Sequence, residues 1–143
     1  MTLTGHSGEV RCLHLEGNRL VSGSVDTTIK VWDLDIQPSY SSIGEFQNSN
    51  DFTEKVFIHF FLFLGCRVTM VGHTNTVRCV QMSHEKEIVI SGSYDETIKI
   101  WCLKTGRCQE TLRGHHGRVL CMYVPWESHP GLILSGTYIQ SIF

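Results

Sequence analysis

Residues 91–101 read Ser-Gly-Ser-Tyr-Asp-Glu-Thr-Ile-Lys-Ile-Trp, and residues 22–32 read Ser-Gly-Ser-Val-Asp-Thr-Thr-Ile-Lys-Val-Trp, with eight of eleven positions identical. A Gly-His pair precedes each copy at a similar distance, Gly5-His6 before the first and Gly72-His73 before the second. A third pair, Gly114-His115, opens a further copy that reaches Ser135-Gly136-Thr137 and then departs. Ile139 stands where the phase requires an aspartate, and Phe143 comes before the tryptophan position. Such self-similarity marks architectures in which each unit buries its apolar face against the next.

Within a copy, short β-rich runs alternate with turn residues. Residues 9–15, 19–23 and 27–34 read as strands, rich in Val, Ile, Leu and aromatic side chains. Gly17-Asn18 supplies the first turn and Val25-Asp26-Thr27 the second, where an aspartate can bond its own backbone. An outer strand before the next Gly-His completes a four-stranded antiparallel blade. The second copy repeats the order at 66–71, 76–83, 87–92 and 97–103, and the third offers 117–124 and 132–137. The expected division is a first repeat at 1–34, an insert at 35–65, a second repeat at 66–103 and a truncated third at 104–143.

The insert follows from the spacing. His73 to His115 spans 42 residues, whereas His6 to His73 spans 67, and the excess lies after Trp32. Residues 37–50 are polar, rich in Ser and Asn, and read as an irregular loop. Residues 56–64, Val-Phe-Ile-His-Phe-Phe-Leu-Phe-Leu, form the most apolar run of the chain. They fall far short of the roughly 20 residues that cross a bilayer. Three readings stay open for this run: a buried strand, a membrane-touching or partner-binding patch, or sequence the fold never selected. The last fits best with its interruption of a regular repeat.

The net charge of −2 leaves no footprint for nucleic acid or an anionic membrane. The N-terminus enters a repeat at once, without a basic region followed by an apolar one, which predicts an intracellular protein, cytoplasmic and/or nuclear. Cys12, Cys79 and Cys121 each fall six residues after a repeat histidine, and Cys66 and Cys108 each seven before one. Cysteines placed by repeat phase are expected to be small buried hydrophobes in a reducing compartment. No Cys-x-x-Cys pair, phosphate-binding glycine loop or nucleophile elbow occurs, so neither metal nor cofactor is expected. His14, His59, His84, His116 and His129 share no spacing and read as scattered surface or loop residues.

The Gly-His pairs, the Ser-Gly-Ser-x-Asp-x-Thr-Ile-Lys-x-Trp signature and Trp32-Asp33 together resemble the WD-repeat family of β-propellers. The resemblance covers the chain except roughly residues 35–65 and the last few. It implies an all-β fold, an incomplete β-propeller of four-stranded antiparallel blades with a non-repeat insert. It also implies a buried network in each blade: His6, Ser22, Asp26 and Trp32, then His73, Ser91, Asp95 and Trp101, with only His115 and Ser135 kept in the third. The side-chain chemistry suits that role, since Trp donates, Asp accepts, and Ser and His do both. A Ser-His-Asp set that recurs once per repeat with a Trp reads as a structural unit rather than a catalytic triad, and no enzyme activity is expected.

Arg11 and Arg78 each precede the repeat cysteine, in Val-Arg-Cys-Leu and Val-Arg-Cys-Val, while the third copy has Leu120 there. The short blades and this wording look most like the F-box/WD-repeat substrate receptors of ubiquitin ligases. In that family, arginines at this slot line the top face and hold phosphorylated peptides, and a guanidinium fork suits phosphate. The competing reading is an arginine on a solvated rim or paired with a neighbouring acid. The expected function is an interaction module for proteins or peptides, a scaffold or substrate-recognition platform. The alternative is a truncated or aberrantly spliced product of a larger WD-repeat protein with no independent activity. A propeller closes with about four to eight blades, so further blades from a longer chain or an oligomer are needed.

Overall fold

Each complete copy of the repeated sequence folds as an up-and-down antiparallel meander. A computed structural model of the chain describes residues 2–38 and 60–137. The first sheet runs in the order β1 (Val10–Glu16), β2 (Arg19–Ser24), β3 (Ile29–Pro38) and β4 (Phe60–Met70). The second repeats it with β5 (Val77–Ser83), β6 (Ile88–Ser93), β7 (Ile98–Cys102) and β8 (Cys108–Leu112). The third is a two-stranded stump of β9 (Val119–Tyr123) and β10 (Leu134–Thr137). Every element among the described residues is a strand, so the fold is all-β and built of propeller blades.

The turns follow from local chemistry. Glu16 pairs with Arg19 across the two-residue loop Gly17-Asn18, and Gly17 takes a φ of 59° that a glycine adopts without steric cost. The β2–β3 turn puts Thr27 at φ 70°, and the β6–β7 turn puts Glu96 at φ 68°, left-handed conformations uncommon for residues with a side chain. The preceding aspartate holds the turn: Asp26 Oδ1 accepts from the Thr28 amide at 2.9 Å, and Asp95 Oδ1 from the Thr97 amide at 3.0 Å.

The hairpin β3–β4 reaches further than the repeat phase indicates. Its ladder continues past Leu34, through Asp35↔Phe63, to Pro38↔Phe60. Residues 35–38 and 60–65, read from the sequence as insert, therefore form the far end of a hairpin, and Gln37 and Pro38 lie in a strand rather than a loop. Aromatic-rich segments fit a pleated strand well, which lets the ladder run on. The remainder of the insert, residues 39–59, lies outside the described residues, and His59 with it. Cys66 to Met70 belong to the same strand, so the opening of the second sequence repeat is the outer strand of the first blade.

Blades stack through their first strands, β1 beside β5 and β5 beside β9. The core between the first two blades holds Val21, Ile29, Val31, Met70, Val77, Val89 and Trp101, each no more than 1% exposed. A second cluster, Ile90, Ile98, Val119 and Val124, lies between the second blade and the stump. Glycines in the signature admit this close approach. A Cβ on Gly23 would lie 2.6 Å from Val77 Cγ1, and one on Gly92 would lie 2.6 Å from Val119 Cγ1.

The cysteines correct one expectation. Cys12 and Cys79 are partly buried where one blade meets the next, but Cys66, Cys108 and Cys121 are exposed. Cys66 and Cys108 lie on the outermost strands β4 and β8, which no further strand covers among the described residues. Cys121 lies on the stump face that no following blade covers among the described residues. Repeat phase sets where a residue stands in its blade, and the neighbouring blade sets whether it is buried.

Candidate functional site

Two constellations recur with the blades, one a buried hydrogen-bond network and one at a β-bulge. In the first blade the Trp32 indole N–H donates to Ser22 Oγ at 2.8 Å. Ser22 Oγ lies 2.7 Å from His6 Nε2, and His6 Nδ1 lies 2.8 Å from Asp26 Oδ2. The second blade repeats this from Trp101 to Ser91 at 2.8 Å, Ser91 to His73 at 2.7 Å and His73 to Asp95 at 2.7 Å. With a neutral ring the donors run one way, Trp N–H to Ser, Ser O–H to His Nε2, and His Nδ1–H to Asp.

Two threonines join the network, although the sequence reading gave them no role. Thr28 Oγ1 donates to Asp26 Oδ1 and Thr97 Oγ1 to Asp95 Oδ1, each at 2.6 Å. The Asp-x-Thr spacing inside the repeated signature was the signal for them. The amides of Ser7 and Thr74, just after each histidine, donate to the same carboxylates at 2.9 and 3.0 Å.

The electrostatics follow from these bonds. Burial would raise the Asp95 carboxyl, but bonds from Thr97, the Thr74 amide and His73 outweigh it and hold it at about 2. Asp26 is likewise held well below the usual carboxylate range: burial pushes it up, and Thr28, His6 and the Ser7 amide more than offset that. Burial lowers His73, against the raising influence of Asp95, so its ring is neutral near pH 7. Ser91 is fully buried and Ser22 is 2% exposed, each already accepting an indole N–H. The arrangement ties loop, turn and two strands of a blade together.

The stump keeps one link. His115 Nε2 lies 2.7 Å from Ser135 Oγ, but this pair is exposed, and the phase position of the aspartate, residue 139, lies outside the described residues.

The second constellation comes from a repeated irregularity. Val10 pairs with Ser24 and Cys12 with Gly23, so Arg11 is the extra residue of a β-bulge in β1. Arg78 is the extra residue between Val77↔Ser93 and Cys79↔Gly92, and Leu120 that between Val119↔Thr137 and Cys121↔Gly136. Bulges re-aim a side chain that a regular strand would have turned toward a sheet face. Arg11 forms an exposed ion pair with Glu9 at 2.6 Å, a contact worth about 0–1 kcal/mol. Arg78 lies close to the thiols of Cys12 and Cys79. Burial nonetheless pushes those thiols up, to about 12 and about 11, and Arg78 opposes it only weakly. Leu120 breaks the series, but Arg118, two residues earlier, stacks its guanidinium on the Tyr94 ring at 4.9 Å.

Comparison with known proteins gives the same architecture. The family model described as "WD domain, G-beta repeat" (WD40) matches residues 1–33 and 64–102, just over half of the chain. The WD repeat-containing protein pop2 of Schizosaccharomyces pombe is 34% identical over 133 residues, covering 80% of this chain and 17% of that protein. Mitochondrial division protein 1 of Aspergillus oryzae is 33% identical over 116 residues, covering 77% and 18%. The chain thus spans less than a fifth of the length of these curated relatives. Among solved structures, the computationally designed Ika4 protein superposes with a TM-score of 0.65 at 26% identity, covering 95% of this chain and 64% of that one.

Proposed function

Because this chain belongs to the WD40-repeat family, we propose that it serves as a protein-interaction module whose first strands present a peptide-binding rim, with Arg11 and Arg78 reading phosphate on the peptide. The observation that carries this reading is the matched pair of β-bulges. Adjacent blades carry an arginine at the same bulge position, and β1 packs directly beside β5. Two forked donors on neighbouring strands suit the three acceptor oxygens of a phosphoserine or phosphothreonine. Glu9 is a competitor that the phosphate displaces, at small cost because its ion pair with Arg11 is solvated. The resemblance to F-box/WD-repeat receptors extends this to recognition of phosphorylated degrons in a ubiquitin-ligase setting. Six free thiols fit a reducing compartment, the cytoplasm or nucleus.

Fluorescence anisotropy with phosphorylated peptides and their unphosphorylated twins tests it. A charge-assisted bond is worth about 1.5–3 kcal/mol. Arg11→Ala and Arg78→Ala should therefore each weaken binding of the phosphorylated form by roughly tenfold or more and leave the other form unchanged. Equal loss for both forms, or no loss, refutes the assignment.

A second reading has its own observation. The chain covers less than a fifth of its relatives, and Leu13 and Leu15 are 61% and 57% exposed on an open blade face. Both fit a piece of a larger WD-repeat protein without independent activity. A chain that unfolds cooperatively and binds no hydrophobic dye would remove that reading.

A further inference from the structure

The same interface is built twice inside this chain, and its two halves recur exposed on β1 and on the stump. At the first junction Val77, Val80 and Met82 of β5 are 0%, 6% and 1% exposed against the first blade. At the second, Val119 of β9 and Val124, the residue just after that strand, occupy the places of Val77 and Met82 and are 0% and 5% exposed. On β1 the residues in phase with Val77, Val80 and Met82 are Val10, Leu13 and Leu15, 48%, 61% and 57% exposed. The chemistry of the docking strand is unchanged, and only its cover differs.

The receiving half is also repeated. Val77 sits over Gly23 and Val119 over Gly92, in clefts that a Cβ on either glycine would fill. Gly136 holds the same place in β10, where a Cβ would meet only Cys121 of its own blade. A polar side chain from each blade reaches the next one. His14 Nδ1 accepts from the Met82 amide at 3.0 Å, and Gln81 Oε1 accepts from the Val124 amide at 2.8 Å. In the stump that position is Tyr123, 59% exposed.

We propose that a second copy of this chain docks on the stump, its Val10–Leu13–Leu15 strand lying over Gly136 as Val77 lies over Gly23 and Val119 over Gly92. The contact continues the internal interface with the next member of the series, so its strand spacing is already set. The Tyr123 hydroxyl takes the accepting place of His14 and Gln81 toward the partner's Leu15 amide. A head-to-tail contact of this kind either closes a ring or propagates. Two four-stranded blades and a stump per copy give six blade positions in a closed pair, within the roughly four to eight from which propellers close. The inference stands apart from phosphate reading, because it concerns mass and not peptide affinity.

Sedimentation velocity on the 143-residue chain tests it, with far-UV circular dichroism to confirm that each variant keeps its strands. Leu13→Lys/Leu15→Lys charges the docking strand, and Tyr123→Lys charges the receiving face. All three side chains are more than half exposed, so neither variant disturbs a packed core. The wild type should sediment as a concentration-dependent assembly of two or more copies and each variant as a monomer. An equimolar mixture of the two should recover a two-copy species, since each keeps the face that the other lost. A monomeric wild type overturns the proposal. So does a Tyr123→Lys chain that stays associated, which would mean like faces pairing, or a mixture that stays monomeric.

Discussion

Ser91→Ala isolates the buried network with little change in packing, since the Cβ remains and only Oγ leaves. Ser91 is fully buried, and its Oγ is the partner of both the Trp101 indole N–H at 2.8 Å and His73 Nε2 at 2.7 Å. Trp101 and His73 are themselves 1% and 5% exposed, so water does not readily replace the lost oxygen. Each of the two orphaned groups costs about 1–3 kcal/mol, which puts the total at roughly 2–6 kcal/mol. That is a large share of the roughly 5–15 kcal/mol by which domains are stable. Ser135→Ala in the stump removes the chemically equivalent oxygen from an exposed pair and should cost no more than about 0.5 kcal/mol. Urea unfolding followed by tryptophan fluorescence measures both, provided the slopes agree. Adding Trp101→Phe to Ser91→Ala should cost less than the two single changes together, because the indole donor then has nothing to lose. Equal costs for Ser91→Ala and Ser135→Ala would refute the argument that burial of the network gives it its weight.

Two further outcomes follow from the same geometry. The folded His73 ring has a lowered pKa, so the unfolded chain binds the proton more readily and stability falls as the pH drops below about 6.5. Asp95, held at about 2 against 3.8, contributes stability that is present above 3.8 and lost as the pH falls toward 2. Urea midpoints should therefore decline from pH 7 to 5 and again from pH 4 to 3, and a flat profile from 7 to 5 would contradict the neutral ring. Thiol labelling gives the second check. Exposed Cys66 and Cys108 should react quickly at pH 8, while Cys12 and Cys79, with thiols pushed up to about 12 and about 11 by burial, should react only through unfolding. Mass spectrometry of the labelled peptides reads the order directly, and fast labelling of Cys79 would count against the packing of β5 on β9.

Much of this molecule is legible in the sequence by itself. The repeated signature determines strands, turns and the residue types of the network, because those are matters of spacing along one chain: an aspartate two residues before a threonine, a serine ten before a tryptophan. The all-β blades follow from the same period. Tertiary structure decided the rest, for a common physical reason: exposure and aim depend on what lies across the sheet, not along the strand. Cys12 and Cys121 hold the same repeat position, yet one is partly covered by the next blade and the other is open to solvent. Val10 and Val77 are the same residue in the same phase, and one is 48% exposed while the other is fully buried. Arg11 and Arg78 could be picked out by their wording, but only the register of β1 and β5 shows that each occupies a bulge. The reach of β3 and β4 into the segment read as insert likewise depends on a cross-strand pairing, Pro38 with Phe60, between residues far apart in the chain.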